Sequence, residues 1–171
     1  MIVLNCPRRV GYSWRAIVSA ALGLVLFVAV WGVGANRTAL ATQESASSAD
    51  SSMLVVQSLV AAFNEKDIDK IMTHFSTDAI YHNMPTGPVQ GTEAVRNLVT
   101  MFVTPADKIE WEMLNIAQAG STVLTERIDR FVIQGKAVEL PVMGAFAIEN
   151  GKITAWRDYF DMATWQRQTA Q

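Results

Sequence analysis

Five residues in three short stretches are of types that move or hold protons: Arg127, Asp129, Asp158, Tyr81 and Asn83. The stretch Thr125-Glu126-Arg127-Ile128-Asp129-Arg130-Phe131 carries four charges in five consecutive residues, Glu126 to Arg130, yet its β-branched and aromatic surroundings (Val123, Phe131, Val132, Ile133) mark it as a strand. Side chains alternate across a strand, so Arg127 and Asp129 share a face with Val123, Thr125, Phe131 and Ile133. An opposite-charge pair in such company must be paired, or it costs several kcal/mol. An exposed face with a surface ion pair is the alternative, because Glu126 and Arg130 on the opposite face look much the same. In Trp156-Arg157-Asp158-Tyr159-Phe160-Asp161, Asp158 shares its face with Trp156 and Phe160. A carboxylate between two aromatics is either desolvated or at a pocket rim; the alternative is a plain pair with Arg157 or Arg130. In Tyr81-His82-Asn83-Met84-Pro85 a phenol and an amide point the same way.

Tyr-x-Asn-Met-Pro, Glu-Arg-x-Asp and Trp-Arg-Asp-Tyr-Phe-Asp, in this order and spacing, resemble the limonene-1,2-epoxide hydrolase family. The resemblance covers residues 53–165. It implies that Arg127 bridges both carboxylates. With two acids and one cation in low dielectric, repulsion and desolvation make one acid keep its proton while the arginine holds the other ionised. Epoxide opening needs such a pair: a proton for the leaving oxygen and a base for a water on the opposite side. By resemblance, Asp129 is the general acid, Asp158 the general base, and Tyr81 and Asn83 hold the water. One direct step without a covalent ester is implied. Motif position also implies pocket walls from Phe63, Phe102, Leu140, Val142 and Phe160, a lining suited to a terpene, sterol or fatty epoxide. Trp111 and Trp156 are read as core residues, Arg157, Tyr159 and Asp161 as structural or interfacial, and His82 is expected to face away from Tyr81. A SnoaL-like cyclase or steroid isomerase would use one aspartate and no Arg127–Asp129 pair. A non-catalytic module binding an apolar ligand would need no acid–base pair at all.

These side chains need a scaffold, and the chain predicts one. Apolar residues at Leu54, Val55, Leu59, Val60, Ala62 and Phe63 form a helical stripe. Asp67 is placed to cap a short helix running to Phe75, and Thr92, with Glu93, a third helix to about Val103. Ala79–Asn83 reads as a strand and Met84–Pro88 as a loop. From Lys108 the pattern is β, with turns at Gly120-Ser121, Gln134-Gly135-Lys136 and Asn150-Gly151, the last a strong hairpin signal. Pro141 suggests a bulge or an edge. Lys152–Phe160 is the last strand, and Asp161 caps a short terminal helix. Helices followed by a meander give an α+β domain. The resemblance sharpens this to a curved antiparallel or mixed sheet wrapped by the N-terminal helices, the cone-shaped barrel of nuclear transport factor 2, ketosteroid isomerase and SnoaL-type cyclases. That fold hosts many functions, so the site must decide.

Composition excludes several classes. The only cysteine, Cys6, lies in the first 41 residues, so the remainder has no thiol nucleophile and needs no disulfide. Two histidines without a His-x-x-x-His spacing argue against zinc, and no metal or other cofactor is expected. No glycine-rich phosphate loop and no Gly-x-Ser-x-Gly elbow is present. Ten of the 14 basic and all 16 acidic residues follow Ala41, a formal net charge of −6 with no basic patch, which argues against nucleic acid. The expected partners are a small apolar epoxide and water, with a second copy of the domain by resemblance.

The start of the chain has its own pattern. Residues 1–41 hold Arg8, Arg9, Arg15 and Arg37, no acid, an uncharged run from Ala16 to Ala35, and a small-x-small site at Ala39-Leu40-Ala41. This is the layout of a secretory signal peptide, and its length also suits a signal-anchor helix. Residues 42–52 read as a flexible Ser/Ala-rich linker and 53–171 as the domain. The expectation is an exported or membrane-anchored protein with the domain outside, or a cytoplasmic one if Met53 approximates the true start. N-terminal sequencing of the exported form is expected to find Thr42 if the leader is cleaved and Met1 if it is retained. The intact chain free in the cytosol would contradict both.

Overall fold

The computed structural model describes residues 51–170. The predicted leader helix, its cleavage site and most of the predicted linker lie outside the described residues. Ser51 and Ser52, expected in the linker, are already helical, in the first helix (α1, residues 51–64). Val56, Leu59, Val60 and Phe63 are its buried stripe, at helical spacing. Lys66, with φ of 58°, breaks away from the helix. Asp67 then caps α2 (Ile68–Met72), its carboxylate accepting from the Lys70 amide.

The second helix was expected to reach Phe75, but it ends at Met72 and Phe75 opens β1 (Phe75–Asn83). The reason is tertiary: Phe75 pairs with Ile153 of the last strand, which outweighs the local helical pattern. β2 (Val89–Gln90), just past the predicted loop and not foreseen as a strand, pairs antiparallel with Ile80 and Tyr81. α3 (Thr92–Val103) buries Val95, Val99 and Val103 against the sheet. Its N-cap is Gly91 rather than Thr92, whose hydroxyl instead donates to the Thr77 carbonyl. With φ of 88°, Gly91 holds a backbone shape that a side chain would strain.

Four long strands follow: β3 (Ala106–Ala119), β4 (Thr122–Ile133), β5 (Lys136–Glu149) and β6 (Lys152–Tyr159). They form an antiparallel meander, and β6 then pairs parallel to β1, giving the order β2-β1-β6-β5-β4-β3. The turn at Asn150-Gly151 has φ of 51° and 72°, the left-handed pair that a two-residue hairpin demands. Register shifts in β3, between β5 and β6, and in β1 bend the sheet. The result is the expected α+β cone: a six-stranded mixed sheet, curved but not closed, with helices across its concave side. α4 (Met162–Thr169) closes the chain, capped by Asp161 through the Ala163 and Thr164 amides.

Pro141 causes no bulge, since β4 and β5 pair without a shift. It sits where β5 has run past the end of β6, which pairs only from Met143 onward. Two residues earlier, the Glu139 amide points away from β4 and donates to the Gln168 side chain. The nitrogen of Pro141 faces the same way, so no ladder donor is lost. The edge reading therefore holds for this part of β5.

The core is a cluster of aromatic rings on the concave face. Trp156, fully buried, is stacked on Tyr81 with centroids 4.0 Å apart and packs against Phe63, Phe75 and Phe146. This rigid ring stack forms the floor on which the polar residues stand.

Candidate active site

Arg127 is fully buried. Its Nε and Nη2 donate to the two oxygens of Asp129 at 3.0 and 3.1 Å, the same Nη2 donates to Asp158 Oδ2 at 2.9 Å, and Nη1 donates to Thr125 Oγ1 at 3.0 Å. Strand alternation produces this arrangement directly. Thr125, Arg127 and Asp129 are same-face neighbours on β4, and Asp158 on β6 lies across β5. The strand between them must therefore offer no side chain, and at the crossing stands Gly144, in register with both Thr125 and Asp158. A Cβ there would lie 2.5 Å from Arg127 Nη1 and 2.6 Å from Thr125 Oγ1. Glycine is required by close approach, and the guanidinium fills the space. The guanidinium also sits over the rings of Trp111 and Trp156, with Cζ at 5.1 and 5.9 Å.

The two carboxylates are not equivalent. Asp158 Oδ1 receives a second donor, Trp156 Nε1, at 2.7 Å, whereas Asp129 receives donors from Arg127 alone. Burial pushes Asp129 up to about 6; Arg127 opposes the shift and the charge on Asp158 adds to it. Burial also raises Asp158, against the lowering effect of Arg127 and of the Trp156 hydrogen bond. Arg127 stays protonated: burial works against its charge, but the two carboxylates outweigh it. Each acid accepts two hydrogen bonds, but the charge of Asp158 raises Asp129 while the Trp156 bond lowers Asp158, which favours the state in which Asp129 holds the proton and Asp158 the charge.

Tyr81 and Asn83 complete the polar cluster from β1. The parallel pairing sets Tyr81 beside Trp156 and Asn83 beside Asp158. Burial, then the Asp158 charge, holds the Tyr81 phenol well above its ordinary value, so it remains a neutral hydroxyl. The loop after Asn83 is fixed to β6 by the Met84 amide donating to the Asp158 carbonyl at 2.8 Å. His82 faces the other way and bonds the Thr86 carbonyl. Arg130 also points outward, clamped by Glu112 and Glu139 at 2.7 and 2.8 Å, and adds no charge to the site.

All of Tyr81, Asn83, Asp129 and Asp158 line one cavity of about 250 Å³. Its walls include Phe102, Leu140, Val142 and Phe160, as motif position implied. Phe63 does not line it. That ring lies behind the wall, fully buried and stacked on two wall residues, Trp111 at 4.1 Å and Phe102 at 5.8 Å. Leu98, Met101, Phe131, Met162 and Trp165 are walls that the sequence reading missed. Trp111, read as core, also lines the cavity, and Trp156 is core but bonds the site. Alternation sets Thr125 on the face of Arg127 and Trp156 on that of Asp158, without marking either as a hydrogen-bond partner. Gly144 left no comparable signal. Among the described residues no group of three or more His, Cys, Asp or Glu side chains converges as a metal site requires.

A model of the limonene-1,2-epoxide hydrolase catalytic domain matches residues 50–171, and the chain belongs to that family. It is 30% identical over 109 residues to the epoxide hydrolase EphG of Mycobacterium tuberculosis, a match that spans 63% of this chain and 71% of that protein. The structure of an M. tuberculosis LEH-like epoxide hydrolase superposes with a TM-score of 0.65 at 26% identity, covering 72% of this chain and 92% of that one. A SnoaL-like polyketide cyclase from Shewanella putrefaciens CN-32 shares the fold, with a TM-score of 0.63 at 17% identity over 70% of this chain and 96% of that one. Family membership supports an epoxide-hydrolase-like activity.

The raised Asp129 value has a consequence for stability. A folded value of about 6 above an ordinary 3.8 means that folding favours the protonated acid. Its contribution is fully present below about pH 4 and is lost as pH rises through about 6. Two pKa units correspond to about 3 kcal/mol. The difference in urea-unfolding stability between Asp129→Asn and the wild type is expected to grow in favour of the variant between pH 4 and 7. A constant difference across that range would contradict the buried, proton-holding assignment.

Proposed function

We propose that this domain opens an apolar epoxide to a vicinal diol by direct attack of an activated water. The observation that carries the reading is Arg127 bonded to both carboxylates, with the Trp156 N–H bonded to Asp158 and not to Asp129. Asp158 acts as general base. It takes a proton from a water held by Tyr81 and Asn83, which flank it on the same face of β1. The water oxygen bonds to one ring carbon while that carbon's bond to the epoxide oxygen breaks. Asp129, the general acid, supplies its proton to the departing oxygen. One proton leaves Asp129 and one arrives at Asp158, so the pair is reset by returning a proton between acids that already share Arg127. The scheme asks for no cofactor and no covalent ester.

Base and water-holders stand on β6 and β1, and the acid stands on β4, so attack and departure fall on opposite sides of the cavity. Apolar walls at Phe102, Leu140, Val142 and Phe160 support a hydrocarbon-rich substrate and exclude bulk water. A single-aspartate isomerase has no use for the second carboxylate or its bridging arginine. For the whole chain the proposal is a domain on the outer side of a membrane, reached by cleavage after Ala41 or by anchorage. A homodimer is part of the proposal, supported by the exposed Leu124, Met143 and Tyr159 on the outer sheet face.

The test is turnover of epoxides of increasing size, read as diol. Asp129→Asn and Asp158→Asn are each expected to lower kcat by about 10²–10⁴-fold. Tyr81→Phe is expected to be milder, since the water keeps two of its partners. In H₂¹⁸O under single-turnover conditions, label is expected in the diol and not in the protein. Label in a carboxylate before the diol would mean an aspartyl ester and would overturn the direct-water scheme.

A further inference from the structure

One polar atom at the cavity has no role in the scheme above. Trp111 lines the cavity and is 5% exposed, and its indole Nε1 is buried without a hydrogen-bond partner. Leaving a buried donor unpaired costs about 1–3 kcal/mol, and a phenylalanine would fill the same stack without that cost.

The residue is also held with unusual care. The Asn64 side chain bonds the Trp111 main chain in both directions: its Oδ1 accepts from the Trp111 amide at 2.6 Å and its Nδ2 donates to the Trp111 carbonyl at 3.1 Å. Phe63 stacks on the indole at 4.1 Å, and a ring that close fills one face. The Arg127 guanidinium also lies over the ring, with Cζ 5.1 Å from its centroid. Trp111 thus lines the cavity as a ring held between these groups, with its N–H unpaired.

Trp111 on β3 is in direct register with Asp129 on β4. Side chains at opposed positions of an antiparallel pair start about 5 Å apart and point the same way. Trp111 therefore stands beside the acid, Asp129.

We propose that the Trp111 indole N–H donates a hydrogen bond to the substrate oxygen beside Asp129, stabilising that oxygen as its bond to carbon breaks. This rests on the epoxide-opening reading above. The donor takes part in no bond making: Asp129 still gives the proton, and the indole keeps its own. Such a donor binds the transition state more tightly than the ground state, because charge on the oxygen grows as the ring opens.

The experiment pairs a variant with a direct view of the N–H, both in the full chain. Trp111→Phe keeps an aromatic ring in the stack and removes the donor, along with part of the ring surface against Phe63 and Arg127. It is expected to lower kcat about tenfold or more with KM changed less than about threefold, since a single pre-organised donor is worth about 10²–10³ in kcat elsewhere. A variant with unchanged kcat, or with a change confined to KM, would overturn the proposal. The second measurement needs no variant and no turnover: the Trp111 indole ¹H–¹⁵N signal of the wild type during titration with trans-cyclohexane-1,2-diol. A downfield shift with slowed solvent exchange is expected, and a signal that does not move overturns the proposal even if the variant fails to fold. Diol formation by a fully active Trp111→Phe protein would reject the donor and leave the reaction standing. An indole shift in a protein that opens no epoxide would reject the reaction and leave the donor standing.

Discussion

A fully buried guanidinium between two buried carboxylates is the constraint on which the rest of this structure depends. Such a cluster is a poor source of stability, because desolvating the charges costs about as much as their attraction returns. Once present, however, it dictates its surroundings. Thr125 must offer a hydroxyl, position 144 must be glycine, and Trp111 and Trp156 must supply ring faces in place of solvent. The strand order must also set β4 and β6 on either side of β5. A domain of this size could have filled that volume with aliphatic side chains. The arrangement is explained by what an arginine between two acids does to their protons.

The electrostatics follow from small differences. Both acids are buried and both touch the same arginine, so neither burial nor charge alone separates them. What separates them is the charge of Asp158, which raises Asp129, together with the bond that Asp158 receives from the indole of Trp156. That tryptophan is fixed by the ring stack with Tyr81, and Tyr81 is itself a member of the polar cluster. The aromatic core and the site are thus one object: the stack that gives the sheet its packed floor also helps to choose which acid stays ionised.

Much of this was legible in the chain. Period-two alternation placed Arg127 with Asp129, Tyr81 with Asn83 and Asp158 with Trp156, and turn residues such as Asn150-Gly151 bounded the strands. What could not be read was anything set by contacts distant in sequence. Motif position made Phe63 a wall residue, but how deep a helical side chain packs is not a local property. The helix expected to reach Phe75 lost its end to a parallel pairing with Ile153, far along the chain. The cap expected at Thr92 moved one residue back because Gly91 takes up the turn. Trp111 is core as read, but its place at the cavity depends on the Asn64 clamp and on register with Asp129, which only the fold brings together.

The central claim is a division of labour within one coupled pair: Asp129 holds the proton and Asp158 the charge. Titration of the two carboxyl carbons by ¹³C NMR, with Asp129 and Asp158 assigned, tests it most directly. The Asp129 carbon is expected to report a protonated acid up to about pH 6, with Asp158 ionised at lower pH. Asp158 keeping its proton to the higher pH, or both carbons ionising together near pH 4, would contradict the account.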